Sequence, residues 1–331
     1  MKIFAFPYVV IDELMKQFEP VDLTKLSFCS KTTHAFVKTF AKLKDDLEIE
    51  SLRFNGYGIQ FRQKSMIGVI SEKNMNLIKN DSKKYHSLKR WTKKHGRLCV
   101  SQDVVLACRE ATNYICDLFK IPVSTVTVDN EQDTWLLDFA QQRQEQKLKT
   151  VFAHSTDDVV VSAEHYSRIL KCNATESIIC TLRPPGDYRF NRKLPSVSKI
   201  FIYYGFWITG EHLLSLESAY TSLESTELRS ADMNAVLRCW LNGGLPNLKC
   251  LRISVITSVS VSVEGIDKNI RDRFERVPGE ITYKRNHIEL GVKFNSNAYH
   301  LRREDNVVAT VRIANYQFVM AVWPDARGNR V

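Results

Sequence analysis

One pattern, apolar-x-x-apolar-x-x-apolar-x-apolar, recurs along the middle of this 331-residue chain and limits its folds more than any single residue does. Leu245, Leu248, Leu251 and Ile253 complete it, as do Leu194, Val197, Ile200 and Ile202. Tyr220, Leu223, Thr226 and Leu228 fit with one polar substitution. Shorter forms occur at Val123, Val126 and Val128 and at Leu148, Val151 and Ala153, and a weak copy surrounds Ile179. The anchors Val126, Val151, Ile179, Ile200, Thr226 and Leu251 stand 25, 28, 21, 26 and 25 residues apart. Alternate apolar positions predict strands. Between them, apolar spacing predicts helices over 134–146, 163–171, 211–218 and 231–242, the last stopped by Gly243-Gly244. The proline-rich stretch 183–195 predicts a loop instead.

One strand and one helix cannot bury their apolar sides alone. Stacking such units gives a curved parallel sheet backed by helices, a leucine-rich-repeat-like solenoid. A doubly wound α/β domain uses the same alternation. The near-regular spacing, and the lack of a Gly-rich phosphate loop after a strand, favour the solenoid. In each apolar-x-apolar strand the middle residue points away from the helices. Thr127, Phe152, Cys180, Phe201, Glu227 and Arg252 are therefore expected on the exposed sheet face.

The flanks differ. Residues 45–70 alternate around Asn55-Gly56, a hairpin signal. Residues 102–119 carry Val105, Cys108, Thr112, Ile115 and Phe119 on one helical face. Four short strands from Gly291 to Trp323, with turns at 295–297 and 305–306, predict an antiparallel meander.

The first 45 residues predict three helices. Pro7 suits a first helical turn, and Val10, Leu14 and Phe18 form one stripe. Pro20 ends that helix, Asp22 can cap a second carrying Leu23 and Leu26, and Ser30 can cap a third carrying Phe36, Val37, Phe40 and Leu43. A module this small holds more apolar side chains than it can bury, so the surplus implies a partner; an ordinary helical subdomain packed on the rest of the chain explains the spacing equally.

Pro7, Leu14, Pro20, Leu23, Leu26, Cys29, Ser30 and Lys31 together resemble an F-box, with Phe6 where leucine is common. The resemblance implies docking of these residues onto a Skp-type linker protein and, through it, a cullin. A second resemblance is carried by Glu227-Leu228-Arg229, Met233, Val236 to Gly244, Pro246 and Leu248, by 299–311, by Val322-Trp323-Pro324 and by 114–120. These are similar to the type-two F-box-associated domain of a large nematode F-box family. The expected architecture is α/β: an F-box over 1–45, a connecting region over 46–120, leucine-rich-repeat-like units over 121–255 and a β meander over 256–331, with 121–331 the associated domain. The implied function is that of a substrate-recognition adaptor of a Skp–cullin–F-box ubiquitin ligase. The exposed sheet residues are then candidate target contacts, with Phe152 and Phe201 as anchors.

Composition is ordinary for a soluble globular protein and leaves an intracellular enzyme on an α/β scaffold as a further reading, one that predicts a closed pocket with clustered titratable groups. Hydrophobic content is 44% and charged content 25%. No apolar run reaches the roughly 20 residues of a membrane span, and residues 3–11 lack a cleavage site for a signal peptide. Eight scattered cysteines without a Cys-x-x-Cys pair predict reduced thiols in the cytosol or nucleus. The histidines show no metal spacing, adjacent carboxylates at 45–46 and 157–158 diverge, and neither cofactor nor metal is expected. The net charge of +10 is concentrated in 82–97, seven Lys or Arg with Tyr85 and Trp91 and no acid. A solvated face explains it; so does an alternative function, nucleic-acid binding through that segment.

Overall fold

A computed structural model describes residues 6–41, 47–52, 56–61, 65–71, 98–155, 159–257, 261–284, 291–314, 316–325 and 327–329. The basic segment 82–97, Leu43, Asn55 and the paired carboxylates at 45–46 and 157–158 lie outside these residues. The chain is mixed α/β and divides into two compact units, Met1–Phe152 and Ala153–Val331.

The first unit opens with helices α1 (Tyr8–Lys16), α2 (Pro20–Phe28) and α3 (Lys31–Phe40). Pro7 occupies the N-cap of α1, and Pro20 sits in the first turn of α2, where a missing N–H costs nothing. Asp22 does not cap α2. Glu19 holds the cap position, and Asp22 lies in the first turn, 2.5 Å from Lys25 Nζ. Ser30 does cap α3: its hydroxyl accepts from Thr33 N at 3.1 Å while Thr33 Oγ1 accepts from Ser30 N at 2.8 Å. Strands β1 (Leu47–Leu52) and β2 (Gly56–Phe61) form the expected hairpin, with register from Leu47↔Phe61 to Leu52↔Gly56. β3 (Ser65–Ser71), β4 (Leu98–Ser101), β5 (Val123–Val128) and β6 (Thr150–Ala153) extend the sheet in the order β6-β5-β1-β2-β3-β4. Helix α4 (Val104–Phe119) starts at Asp103, whose carboxylate accepts from Leu106 N at 2.9 Å, and α5 (Trp135–Arg143) follows a short 3-10 turn.

The second unit continues with α6 (Ala163–Leu170), β7 (Ser177–Cys180), β8 (Lys199–Ile202), α7 (Gly210–Leu214), β9 (Tyr220–Thr226), α8 (Ser230–Leu241) and β10 (Cys250–Val255). Strands β7 to β10 lie side by side in chain order and run parallel. After α9 (Lys268–Arg271), β11 (Glu275–Arg276), β14 (Ala298–Arg302), β15 (Val308–Ala314) and β16 (Gln317–Val322) add antiparallel strands, with β16 on β10. Gly243, at φ +84°, ends α8. A Cβ on Gly244 would stand 2.8 Å from the Cys239 carbonyl oxygen, so this close turn requires glycine. Met233, Val236, Leu237 and Trp240 of α8 are all enclosed, each such side chain contributing about 1.5–3 kcal/mol.

The stretch 181–198 contains no helix, as its prolines predict. It is nonetheless anchored. Tyr188 and Phe190 insert between Tyr166, Trp207 and His212, with ring centroids 5.0 Å apart for Tyr166–Tyr188 and 5.4 Å for Tyr188–Trp207. His212 Nε2 lies 2.8 Å from the Phe190 carbonyl.

A separate antiparallel pair, β12 (Ile281–Tyr283) and β13 (Val292–Phe294), covers one part of the sheet. Tyr283 and Phe294 pack there with Cys250, Val319, Ala321, Val308, Ala298 and Trp323, and Tyr220 borders them. These strand residues share one face by the pairing register, so the β12–β13 pair roofs the side of the sheet that carries the middle residues of the strands.

Candidate functional site

Two surfaces expose what a folded chain ordinarily hides. The first lies on the N-terminal helices. Helix α1 buries Ile11 and Met15. The adjoining i, i+4 stripe turns outward: Val10 is 47% and Phe18 39% exposed, with Leu14 half-buried between them. Phe6, Tyr8 and Val9 are exposed beside it, the Tyr8 ring leaning on Phe40 at 5.0 Å. Asp12 and then Glu13 bind Lys16 and raise its pKa, so the charged groups of α1 pair among themselves. Of the residues picked out by the sequence, Pro7, Cys29, Ser30 and Lys31 are exposed and Leu14 and Leu26 are half-buried. Pro20 and Leu23 are inside, Leu23 at 1% exposure. Val10 and Phe18 were legible as a stripe; spacing alone does not say whether a stripe faces inward.

The second surface is the open part of the sheet face over β7 to β10. The register sets Ile179, Phe201, Ser222, Arg252, Val319 and Arg312 in one line across six strands. Phe201 and Arg252, both expected here, therefore stand two strands apart with the small Ser222 between them. Glu224, one step along β9 on the same face, approaches Arg252 Nε at 3.6 Å. Arg312 Nη1 donates to the Lys293 carbonyl at 2.9 Å, and its guanidinium lies 6.0 Å from the Phe294 ring. Burial first, and the charge of Arg252 second, lower the Arg312 pKa.

The other four expected face residues stand off this line. Cys180 is fully buried, because β7 turns Ile178 and Cys180 inward and Ile179 outward. Glu227 follows β9, whose inward residues are Thr221 and Leu223; Ser225 adopts φ +51° where the register with β10 shifts, and this bulge offsets the strand end. Sequence spacing mistook the frame because polar Ser218 and Thr221 occupy buried positions where neighbouring units have Val, Leu or Ile. Thr127, in the first unit, is 6% exposed, with Oγ1 3.5 Å from Glu48 Oε1; burial raises the Glu48 pKa and this bond lowers it. Phe152, also in the first unit, is half-buried.

Three thiols are held neutral by burial. Burial pushes the thiols of Cys108, Cys172 and Cys180 up to about 12, which removes the thiolate that nucleophilic attack needs. Among the described residues no group of three or more His, Cys, Asp or Glu could hold a metal ion, and no helix is long and apolar enough to cross a membrane. An open cavity of about 470 Å³ lies beside Glu264, Arg276, Tyr299 and Tyr316 at the β11 edge.

Comparison with known proteins gives a class first. Residues 189–253 match the family described as F-box associated, a span holding β8, α7, β9, α8 and most of β10, and with them Phe201, Ser222 and Arg252. The chain is also similar to the Skn-1 dependent zygotic transcript 15 protein of Caenorhabditis elegans, 21% identical over 272 residues, spanning 75% of this chain and 78% of that protein. No solved structure matches the chain. The two matches bear out the resemblance to a nematode-type F-box protein with an F-box-associated domain. They suggest an F-box-type adaptor.

Proposed function

We propose that this chain is the substrate-recognition adaptor of a Skp–cullin–F-box ubiquitin ligase, acting in the cytosol or nucleus. Helices α1 to α3 dock a Skp-type linker protein. The second unit, whose parallel strands in chain order support a leucine-rich-repeat-like stack, holds the target. The chain makes no bond itself; it raises the local concentration of target beside a ubiquitin-loaded partner.

The observation that carries this reading is where apolar surface is left bare. Among the described residues, six of the twelve exposed large apolar side chains (Phe6, Tyr8, Val9, Val10, Phe18 and Phe28) lie within 6–28, far more than even scatter would place there. A short helical module carrying a few aliphatic and aromatic anchors suits a partner groove. Val10, Leu14, Phe18, Pro7 and Leu26 meet the linker in this reading, with Cys29, Ser30 and Lys31 at its border. Pro20 and Leu23 brace those helices from within.

Affinity purification of the tagged full chain followed by mass spectrometry tests the reading. A Skp-type linker and a cullin are expected among the recovered proteins, and both should vanish with Val10→Asp/Phe18→Asp. Recovery of neither from wild type contradicts the assignment.

A further inference from the structure

The line Ile179–Phe201–Ser222–Arg252–Val319–Arg312 has an imbalance of charge that its own fold does not settle. Among the strand residues of this face in β7 to β10, β15 and β16, Lys199, Arg252 and Arg312 are cationic and Glu224 alone is anionic. The closest approach of Glu224 to Arg252 is at Nε, 3.6 Å, beyond hydrogen-bond distance, which leaves the donors of a 44%-exposed side chain for a bidentate partner. No carboxylate pairs with Arg312 among the described residues; its contacts are the Lys293 carbonyl and the Phe294 ring. Holding a second guanidinium near Arg252 without a counter-ion is unfavourable, and an incoming anion reverses that. Beside the charges lies apolar surface: Ile179 and Phe201 half-buried and Tyr203 45% exposed. The small Ser222 leaves a dip between Phe201 and Arg252.

The β12–β13 pair bounds this strip on one side by packing over Cys250, Val319 and Ala321. From β7 to β10 the open strip spans three strand spacings, about 14 Å. An extended chain covers that distance in about four residues. A globular partner surface would collide with the β12–β13 wall, whereas a strand-like segment lies along it.

We infer that the open sheet face over β7 to β10, with Arg312 at its β12–β13 border, takes an extended acidic segment of the target protein, its carboxylates held by Arg252 and by Arg312 at that border and an apolar side chain seated against Phe201 over Ser222. This rests on the adaptor reading for the identity of the segment as target, and it specifies the chemistry of that target.

The test is an array of extended heptapeptides probed with the purified full chain. Each peptide fixes Asp-x-Asp at the centre and randomises the rest; parallel arrays fix Asn-x-Asn or Lys-x-Lys. The Asp array should retain at least about tenfold more protein than either, since each charge-assisted contact is worth about 1.5–3 kcal/mol. Arg252→Ala and Arg312→Met, the latter keeping an apolar stem over Phe294, should each cut that preference about tenfold, and Phe201→Ser should weaken retention while leaving the Asp preference. Arg276→Ala, at the β11 edge and off this face, should change nothing. Equal retention on the three arrays overturns the inference. So does an Asp preference unmoved by both arginine substitutions in variants that keep the wild-type unfolding midpoint. Recovery of the linker from the same preparations is scored separately: its loss contradicts the adaptor reading and leaves the array result standing, and the reverse holds equally.

Discussion

The Tyr114 hydroxyl of α4 lies 2.7 Å from the Ser27 hydroxyl of α2 and 3.0 Å from His34 Nδ1 of α3, so one phenol ties two N-terminal helices to α4 within the first unit. Ser27 Oγ already donates to the Thr24 carbonyl at 2.6 Å, which leaves it to accept from Tyr114. The Phe28 ring stacks on the same phenol at 4.6 Å. Tyr114→Phe removes the hydrogen bonds and should cost about 1 kcal/mol. Tyr114→Ala also removes the ring and should cost about 3 kcal/mol. Denaturant midpoints measure both. An unmoved midpoint in Tyr114→Phe would show that the hydroxyl does not hold these helices.

Exposure separates docking residues from supports. Leu14 of α1 and Phe18 just beyond its end reach the surface, so Leu14→Asp and Phe18→Asp should leave far-UV circular dichroism and the unfolding midpoint near wild type. Each should weaken linker binding by at least about thirtyfold, roughly 2 kcal/mol for an anchor side chain. Leu23→Asp places a charge at a position 1% exposed and should unfold the N-terminal helices instead. Its loss of binding would come with loss of helical signal, which the circular dichroism reads directly.

Trp323 Nε1 donates to Thr310 Oγ1 at 2.8 Å, and both residues are buried. Thr310→Val keeps the shape and strands the indole N–H, a cost of about 1–3 kcal/mol. Thr310→Ser keeps the acceptor and should lose less. If valine proves the milder of the two substitutions, the hydrogen bond is not what holds the Trp323 end of the sheet.

The buried thiols set an alkaline limit. In the fold Cys108, Cys172 and Cys180 titrate near about 12 because of burial, against an ordinary value of 9.0. A raised pKa means that the fold favours the neutral thiol. The stabilisation is complete below pH 9 and is lost as pH rises from 9 through about 12. Unfolding midpoints should therefore fall across that window, and a Cys108→Ala/Cys172→Ala/Cys180→Ala variant should show a flatter fall. At pH 8 a thiol reagent should label the exposed Cys29 at once and these three only after unfolding.

Much of the fold could be read from residues whose requirements are local. Ser30 announces α3 because its hydroxyl has one backbone N–H to satisfy, Asn55-Gly56 announces the β1–β2 hairpin, and Gly243-Gly244 announces the end of α8. What was illegible depends on a neighbour. Ser218 and Thr221 are polar yet buried, so the frame of β9 slipped onto Thr226, and Ile178 rather than Ile179 faces inward. The β12–β13 pair left no sequence sign that it roofs Val319 and Ala321. The candidate site divides the same way. Phe201 and Arg252 were visible one strand at a time, whereas Arg312 joins them only through two further pairings, β10 with β16 and β16 with β15.

The central claim is that bare apolar side chains on α1 and α2 await a Skp-type linker. Isothermal titration of the purified full chain with a purified Skp-type linker measures it most directly. The account predicts one-to-one binding with a negative heat-capacity change from apolar burial, abolished by Val10→Asp/Phe18→Asp in a chain that stays folded. No heat from wild type, or equal affinity in the folded double variant, would contradict it.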